Sequence, residues 1–165
     1  MIRLRPAHLD DIPFIMETER GSGYERLVGR WEEHQHRAEL MKPASVYWIG
    51  ERNGVPNGFC LLQDLDEPSG NVFLKRIAVH SPGSGFGKTF LTQIVDWAFS
   101  RDETYRLWLD VFVHNARARH VYRSVGFQED GMLREVHAMP DGTRASQILM
   151  SILRPEWEGA CAKSA

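Results

Sequence analysis

No apolar run in this sequence is long enough to cross a bilayer, so a helical membrane span is excluded. Nor is there an excess of either charge: 20 Lys and Arg stand against 22 Asp and Glu, a formal net charge of -2. That balance gives no electrostatic basis for binding nucleic acid or an anionic membrane. Only two cysteines occur, Cys60 and Cys161, and their separation matches no metal or redox spacing. Cys60 lies in the apolar run Phe59-Cys60-Leu61-Leu62 and reads as a small buried hydrophobe. The opening residues, Met1 to Pro6, lack the apolar stretch of a secretory leader, and the expectation is a cytoplasmic protein with reduced thiols. Repeats, low-complexity tracts and linkers are also missing, so nothing divides the chain. What remains is 165 residues, 42% of them hydrophobic, enough for one globular core. A single domain is expected over residues 1–158. Residues 159–165 would be a tail, and Trp157 with the residues after it reads as a fraying terminus.

Patterning supplies the elements. Ile2 and Leu4 alternate with Arg3 and Arg5 as a short strand closed by Pro6. Asp10-Asp11 offers an N-cap to a helix carrying Ile12, Ile15 and Met16. After Gly21-Ser22-Gly23, a second helix is predicted from Tyr24 to Met41, with Leu27, Val28, Trp31 and Ala38 on one face. Val46–Glu51 and Gly58–Leu65 read as strands joined through Asn53-Gly54, and Val72–Val79 as a third. A glycine-rich loop, Pro82 to Gly87, precedes a helix with Phe90, Leu91, Ile94, Val95 and Ala98 on one face. A strand at Arg106–Val113, a helix at Ala116–Val125, a further strand and a last strand at Gln147–Leu153 complete the order. The strand–helix–strand unit from Val72 to Val113 requires one parallel crossover in an otherwise antiparallel sheet. The fold class is therefore α+β: a mixed, mostly antiparallel sheet with helices on both faces.

The loop between Val79 and Thr89 places glycines where a strand hands over to a helix. Backbone N–H groups at that end lack intrahelical partners, and the helix dipole adds positive potential, which together make an anion site. Gly87-Lys88-Thr89 ends like a P-loop, and Asp110 after an apolar strand mimics its magnesium-binding aspartate. Pro82, however, stands where the first P-loop glycine belongs, and too little chain follows for a doubly wound sheet.

Asn115-Ala116-Arg117-Ala118-Arg119-His120-Val121-Tyr122-Arg123-Ser124-Val125-Gly126-Phe127 resembles the signature N-x-x-A-x-x-x-Y-x-x-x-G-F of the GNAT family of N-acetyltransferases. Gly85-Phe86-Gly87 matches the second half of that family's pyrophosphate motif, with Pro82 replacing its usual Gln or Arg. The resemblance implies the GNAT fold, in which the strands matching Val72–Val79 and Arg106–Val113 splay apart. It also implies acetyl-CoA as cosubstrate, an amine acceptor, no metal, and a homodimer as an option. The backbone from Gly83 through Ser84, Gly85, Phe86 and Gly87 to Lys88 would cradle the pyrophosphate. Ile77, Ala78 and Val79 would pair with pantetheine, one of their N–H groups polarising the thioester carbonyl. Asn115 would hydrogen-bond the pantetheine arm, and Tyr122 would serve the leaving thiolate. On helical spacing alone Tyr122 reads as a core aromatic. For a base, Glu19, Glu25, Asp64, Asp66 and Glu67 lie in bordering segments, each also readable as a solvated surface charge. His80 follows the central strand and also reads as structural or exposed, and a water relay would need none of them. A CoA-binding module without turnover remains the other reading.

Overall fold

The structure, a computed structural model, describes residues 1–164. Strand β1 (Ile2–Pro6) leads through a 3-10 turn into helices α1 (Ile12–Glu19) and α2 (Glu33–Leu40). Strands β2 (Val46–Arg52), β3 (Val55–Gln63) and β4 (Asn71–Val79) form a meander, followed by α3 (Phe86–Ser100) and β5 (Arg106–Phe112). Helix α4 (Ala116–Val125), strands β6 (Gln128–Ala138) and β7 (Arg144–Leu153), and helix α5 (Arg154–Ser164) complete it. The strands make one sheet in the order β1-β2-β3-β4-β5-β7-β6, and β4 with β5 is its parallel pair. This is the expected mixed sheet, and its antiparallel meander leaves no room for a doubly wound P-loop fold.

The sheet is covered on both faces. The run Phe59-Cys60-Leu61-Leu62 is fully buried, as a central strand between two cores must be. Cys60 and Leu62 pack with Phe90, Leu91, Ile94 and Val95 of α3. Phe59 and Leu61 pack on the opposite face with Ile15 of α1, Tyr47 and Ile49. Gly50 lets α3 approach the sheet: a Cβ there would lie 2.7 Å from the Phe90 ring.

Two expectations fail. The helix predicted over Tyr24–Met41 is present only as α2; residues 24–31 form turns and irregular chain. Glu32 starts α2 in a reciprocal capping box with Gln35, and Tyr24, Val28 and Trp31 are spent on contacts to the core instead of on a helical stripe. The terminus expected to fray is helix α5. Its Trp157 stacks on Phe99 at 5.4 Å and donates Nε1–H to Asp96 at 2.9 Å. Arg154 donates to the carbonyls of Phe99, Arg101 and Thr104. Ala165, the end of the expected tail, lies outside the described residues.

Candidate active site

The site begins where β4 and β5 part. Their parallel register runs only through Asn71↔Arg106, Val72↔Leu107 and Phe73↔Trp108, although both strands continue. Phe73 and Trp108 stack at 4.2 Å at the last paired position. Immediately beyond, β4 bulges: Leu74 pairs with Leu62 and Arg76 with Leu61, which leaves Lys75 as the extra residue. From there β4 stays with β3 and diverges from β5.

Alternation along β4 sorts its backbone groups. The His80 N–H bonds the Asn57 carbonyl of the β3 side at 2.8 Å, so the polar groups of Val79 and Ile77 turn toward the gap. Those of Ala78 turn back to β3. Of the three residues expected to pair with pantetheine, Ile77 and Val79 thus present their backbones. Val79 already has a partner: Tyr24 Oη donates to its carbonyl at 3.0 Å and accepts from its N–H at 3.3 Å.

The other wall of the gap is α4. Asn115 Oδ1 accepts from the Ala118 N–H at 3.2 Å, an N-cap. Gly126 closes the helix in the left-handed region at φ 114°, a conformation that disfavours any side chain. Between these caps Tyr122 is held edge-on to Phe127 at 5.7 Å. Burial keeps the Tyr122 phenol protonated well above the ordinary tyrosine range, with the charge of Asp110 pushing the same way. Tyr122, Asp110 and Tyr24 all line the cavity at the gap.

A cleft of about 1030 Å³ joins these groups to the glycine-rich loop. Its lining includes Ile77, Ala78, Val79, Gly83, Gly85, Gly87, Lys88, Asn115 and Tyr122. Ser84 and Phe86 do not line it. The Ser84 carbonyl accepts from Arg52, and Phe86 buries its ring in the core against Phe90, leaving its N–H at the start of α3. Added Cβ atoms at Gly83 and Gly85 would meet nothing within 4 Å, so the loop offers an open cradle bounded by Lys88 and Arg117. That cradle fits a pyrophosphate.

The expected bases fare differently. Glu19 is buried inside the α1 side of the sheet, not solvated. Glu67 spends its carboxylate on the Ser69 and Asn71 N–H groups, and Glu25 accepts from Gly23 N–H. Asp64, Asp66 and His80 do not line the cleft. Asp110, on β5, does. Burial raises its carboxyl above the ordinary aspartate range, and the charges of Lys75 and His137 pull it only part of the way back. Sequence reading passed over it as a P-loop mimic; the available signal was an acidic residue inside an otherwise apolar strand.

Residues 12–127 match the sequence profile of the Acetyltransferase (GNAT) family. The chain belongs to this family. Among GNAT relatives, the spermine/spermidine N(1)-acetyltransferase of Bacillus subtilis is 30% identical over 95 residues, covering 56% of this chain and 62% of the relative. The ribosomal protein bS18 alanine N-acetyltransferase of Haemophilus ducreyi is 32% identical over 68 residues, 41% of this chain and 46% of the relative. The alignment thus spans less than two thirds of either curated GNAT relative. The spermidine N-acetyltransferase of Vibrio cholerae, solved with CoA and spermine, superposes with a TM-score of 0.83 at 22% identity, covering 94% of this chain and 97% of that one. The GNAT fold is shared over nearly the whole length.

Proposed function

We propose that this protein transfers an acetyl group from acetyl-CoA to a primary amine, of a small molecule or a protein N-terminus, by direct attack in a ternary complex. The observation that carries the reading is that half-buried Tyr122 and Asp110 both line the cleft that opens where β4 and β5 part. The N–H groups of the Gly83–Lys88 loop would hold the pyrophosphate, with Lys88 and Arg117 adding charge. Bound acetyl-CoA supplies an activated thioester. The Ile77 N–H, turned into the gap, would donate to its carbonyl oxygen. Asp110 would take the proton that an ammonium acceptor must lose before it attacks. Tyr122, still protonated at neutral pH, would give its proton to the departing thiolate. Cys60 is no nucleophile here: it is fully buried and its thiol is pushed up by that burial, which favours direct transfer.

The test is thiol release from acetyl-CoA with a panel of amines. Turnover is expected, and Tyr122→Phe should lower kcat on the order of 10²-fold. Binding of CoA without thiol release from any amine would instead support a module without turnover.

Two further properties belong to the same reading. A cytoplasmic setting agrees with free Cys60 and Cys161, and no helix among the described residues is long and apolar enough to cross a membrane. A homodimer through β6 agrees with that strand's place at the sheet edge and with Met132 and Val136, which are 54% and 45% exposed. Light scattering should then return twice the chain's mass.

A further inference from the structure

The acceptor end of the cleft is lined by residues 22–31, by the β4 bulge, and by His137 to Pro140. Its charged groups divide by what already occupies them. Arg26 pairs with Asp141 across the cleft mouth. Arg76 is buried, bonded to Glu19 at 2.7 Å, with its guanidinium 4.1 Å from the Trp31 ring centroid. Lys75 and Arg30 also line the cleft, and among the described residues neither makes an ion pair or a side-chain hydrogen bond. Lys75 Nζ lies over the Phe73 ring, 5.5 Å from its centroid. The bulge is what puts it there, as the residue skipped between the Leu62↔Leu74 and Leu61↔Arg76 pairs.

Against these stand two lining carboxylates. Glu25 is tied to the Gly23 N–H at 2.9 Å, and Asp110 faces the gap. Lys75 and Asp110 line the same cleft, and the Lys75 charge acts on the Asp110 carboxyl. Beyond Asp110, a polyamine's remaining ammonium groups would meet Lys75 and Arg30, with Glu25 the one other lining carboxylate to offset them. An amine that carries an anion a few bonds away meets both groups at once: its ammonium at Asp110, its anion at Lys75.

Resting on the acetyl-transfer reading above, we propose that the acceptor is a small primary amine bearing a nearby anionic group, which Lys75 and Arg30 bind. Lys75 and Arg30 are then specificity-determining residues, and the bulge in β4 serves selection as well as the splay.

The experiment compares matched acceptors in the thiol-release assay with the full chain: glycine and 2-aminoethyl phosphate against glycinamide and ethanolamine. Spermidine and a short peptide amide with a free N-terminus complete the panel. The anionic acceptors should exceed their neutral counterparts about tenfold in kcat/KM, and the two anions tell carboxylate from phosphate. Lys75→Gln should raise KM for the preferred anionic acceptor about tenfold and bring its ratio to the neutral counterpart toward one. Lys75→Glu should shift preference toward spermidine. CoA affinity and melting temperature, measured on each variant, separate lost recognition from lost fold. Spermidine or the peptide outperforming every anionic acceptor would overturn the inference and leave acetyl transfer standing, as would an unaltered acceptor ratio in both Lys75→Gln and Arg30→Gln. No thiol release with any amine would overturn both.

Discussion

On the α3 side of the sheet the core is apolar from Cys60 to Ile152, with Phe90, Leu91, Ile94 and Val95 filling it. On the α1 side the same strands meet a buried polar chain. Tyr47 Oη and His36 Nδ1 lie 2.8 Å apart, His36 Nε2 and Glu19 Oε1 3.0 Å apart, and Arg76 donates to Glu19 Oε2 at 2.7 Å. With Glu19 as acceptor, His36 donates from Nε2 and accepts the Tyr47 hydroxyl proton at Nδ1. Glu19 also receives the Trp31 N–H at 3.0 Å and Arg20 at 2.9 Å. The two sides differ in what they must specify. The apolar side needs only volume and shape. The polar side ties residues 12–36 to Arg76, next to the bulge, and so fixes where Lys75 and Ile77 stand in the cleft.

Breaking that tie should have the largest effect. Glu19→Ala leaves Arg76 buried without its carboxylate, and a loss of about 3–5 kcal/mol is expected in urea denaturation. A loss below about 1 kcal/mol would mean that the polar side is as forgiving as a surface pair. Burial by itself raises the Glu19 carboxyl, but the hydrogen bonds from His36 and Trp31, with the charge of Arg76, hold it below its ordinary 4.5. A depressed carboxyl contributes stability that is complete above its unfolded-state value and is lost as the pH falls through the folded one. The wild type should therefore lose stability in that acid window, and Glu19→Ala should lose less of what remains there.

The next effect is on rate. Asp110→Asn should lower kcat/KM on the order of 10²-fold near neutral pH. It should also abolish the acid limb of the pH–rate profile, which the raised carboxyl places above the ordinary aspartate value of 3.8. An unchanged limb in Asp110→Asn would assign that limb to another group.

The smallest effect is expected on the legible side. Asn115→Ala removes the cap of α4 and should cost about 1 kcal/mol in chemical denaturation, with the fold intact. A loss several times larger would show that Asn115 holds more than the Ala118 N–H.

How far the sequence could be read follows the same division. Helix α4 was predicted over Ala116–Val125 and is found there, because its cap, stripe and closing glycine are all local. The strands of the meander were placed within a few residues, since alternation and turn pairs are also local. Residues 24–31 were misread because Leu27, Val28 and Trp31 happen to fall at helical spacing, while their partners lie far away. Tyr24 is held by Val79, and the Trp31 carbonyl by Arg20 at 2.8 Å. Glu19 read as a surface charge for the same reason: nothing near it in the chain announces Arg76, 57 residues on.

The sequence by itself determined the element order as far as β7, the parallel crossover, the anion-binding loop and the helix that carries Tyr122. Each depends on groups within about one helical turn or one strand, where spacing dictates contact. The tertiary structure alone decided that Asp110 and Tyr122 line one cleft, that Lys75 protrudes from a bulge, and that Glu19 is buried. Those outcomes depend on register and burial between distant strands. A one-residue shift there changes which side chain faces the cleft, and no local pattern records it.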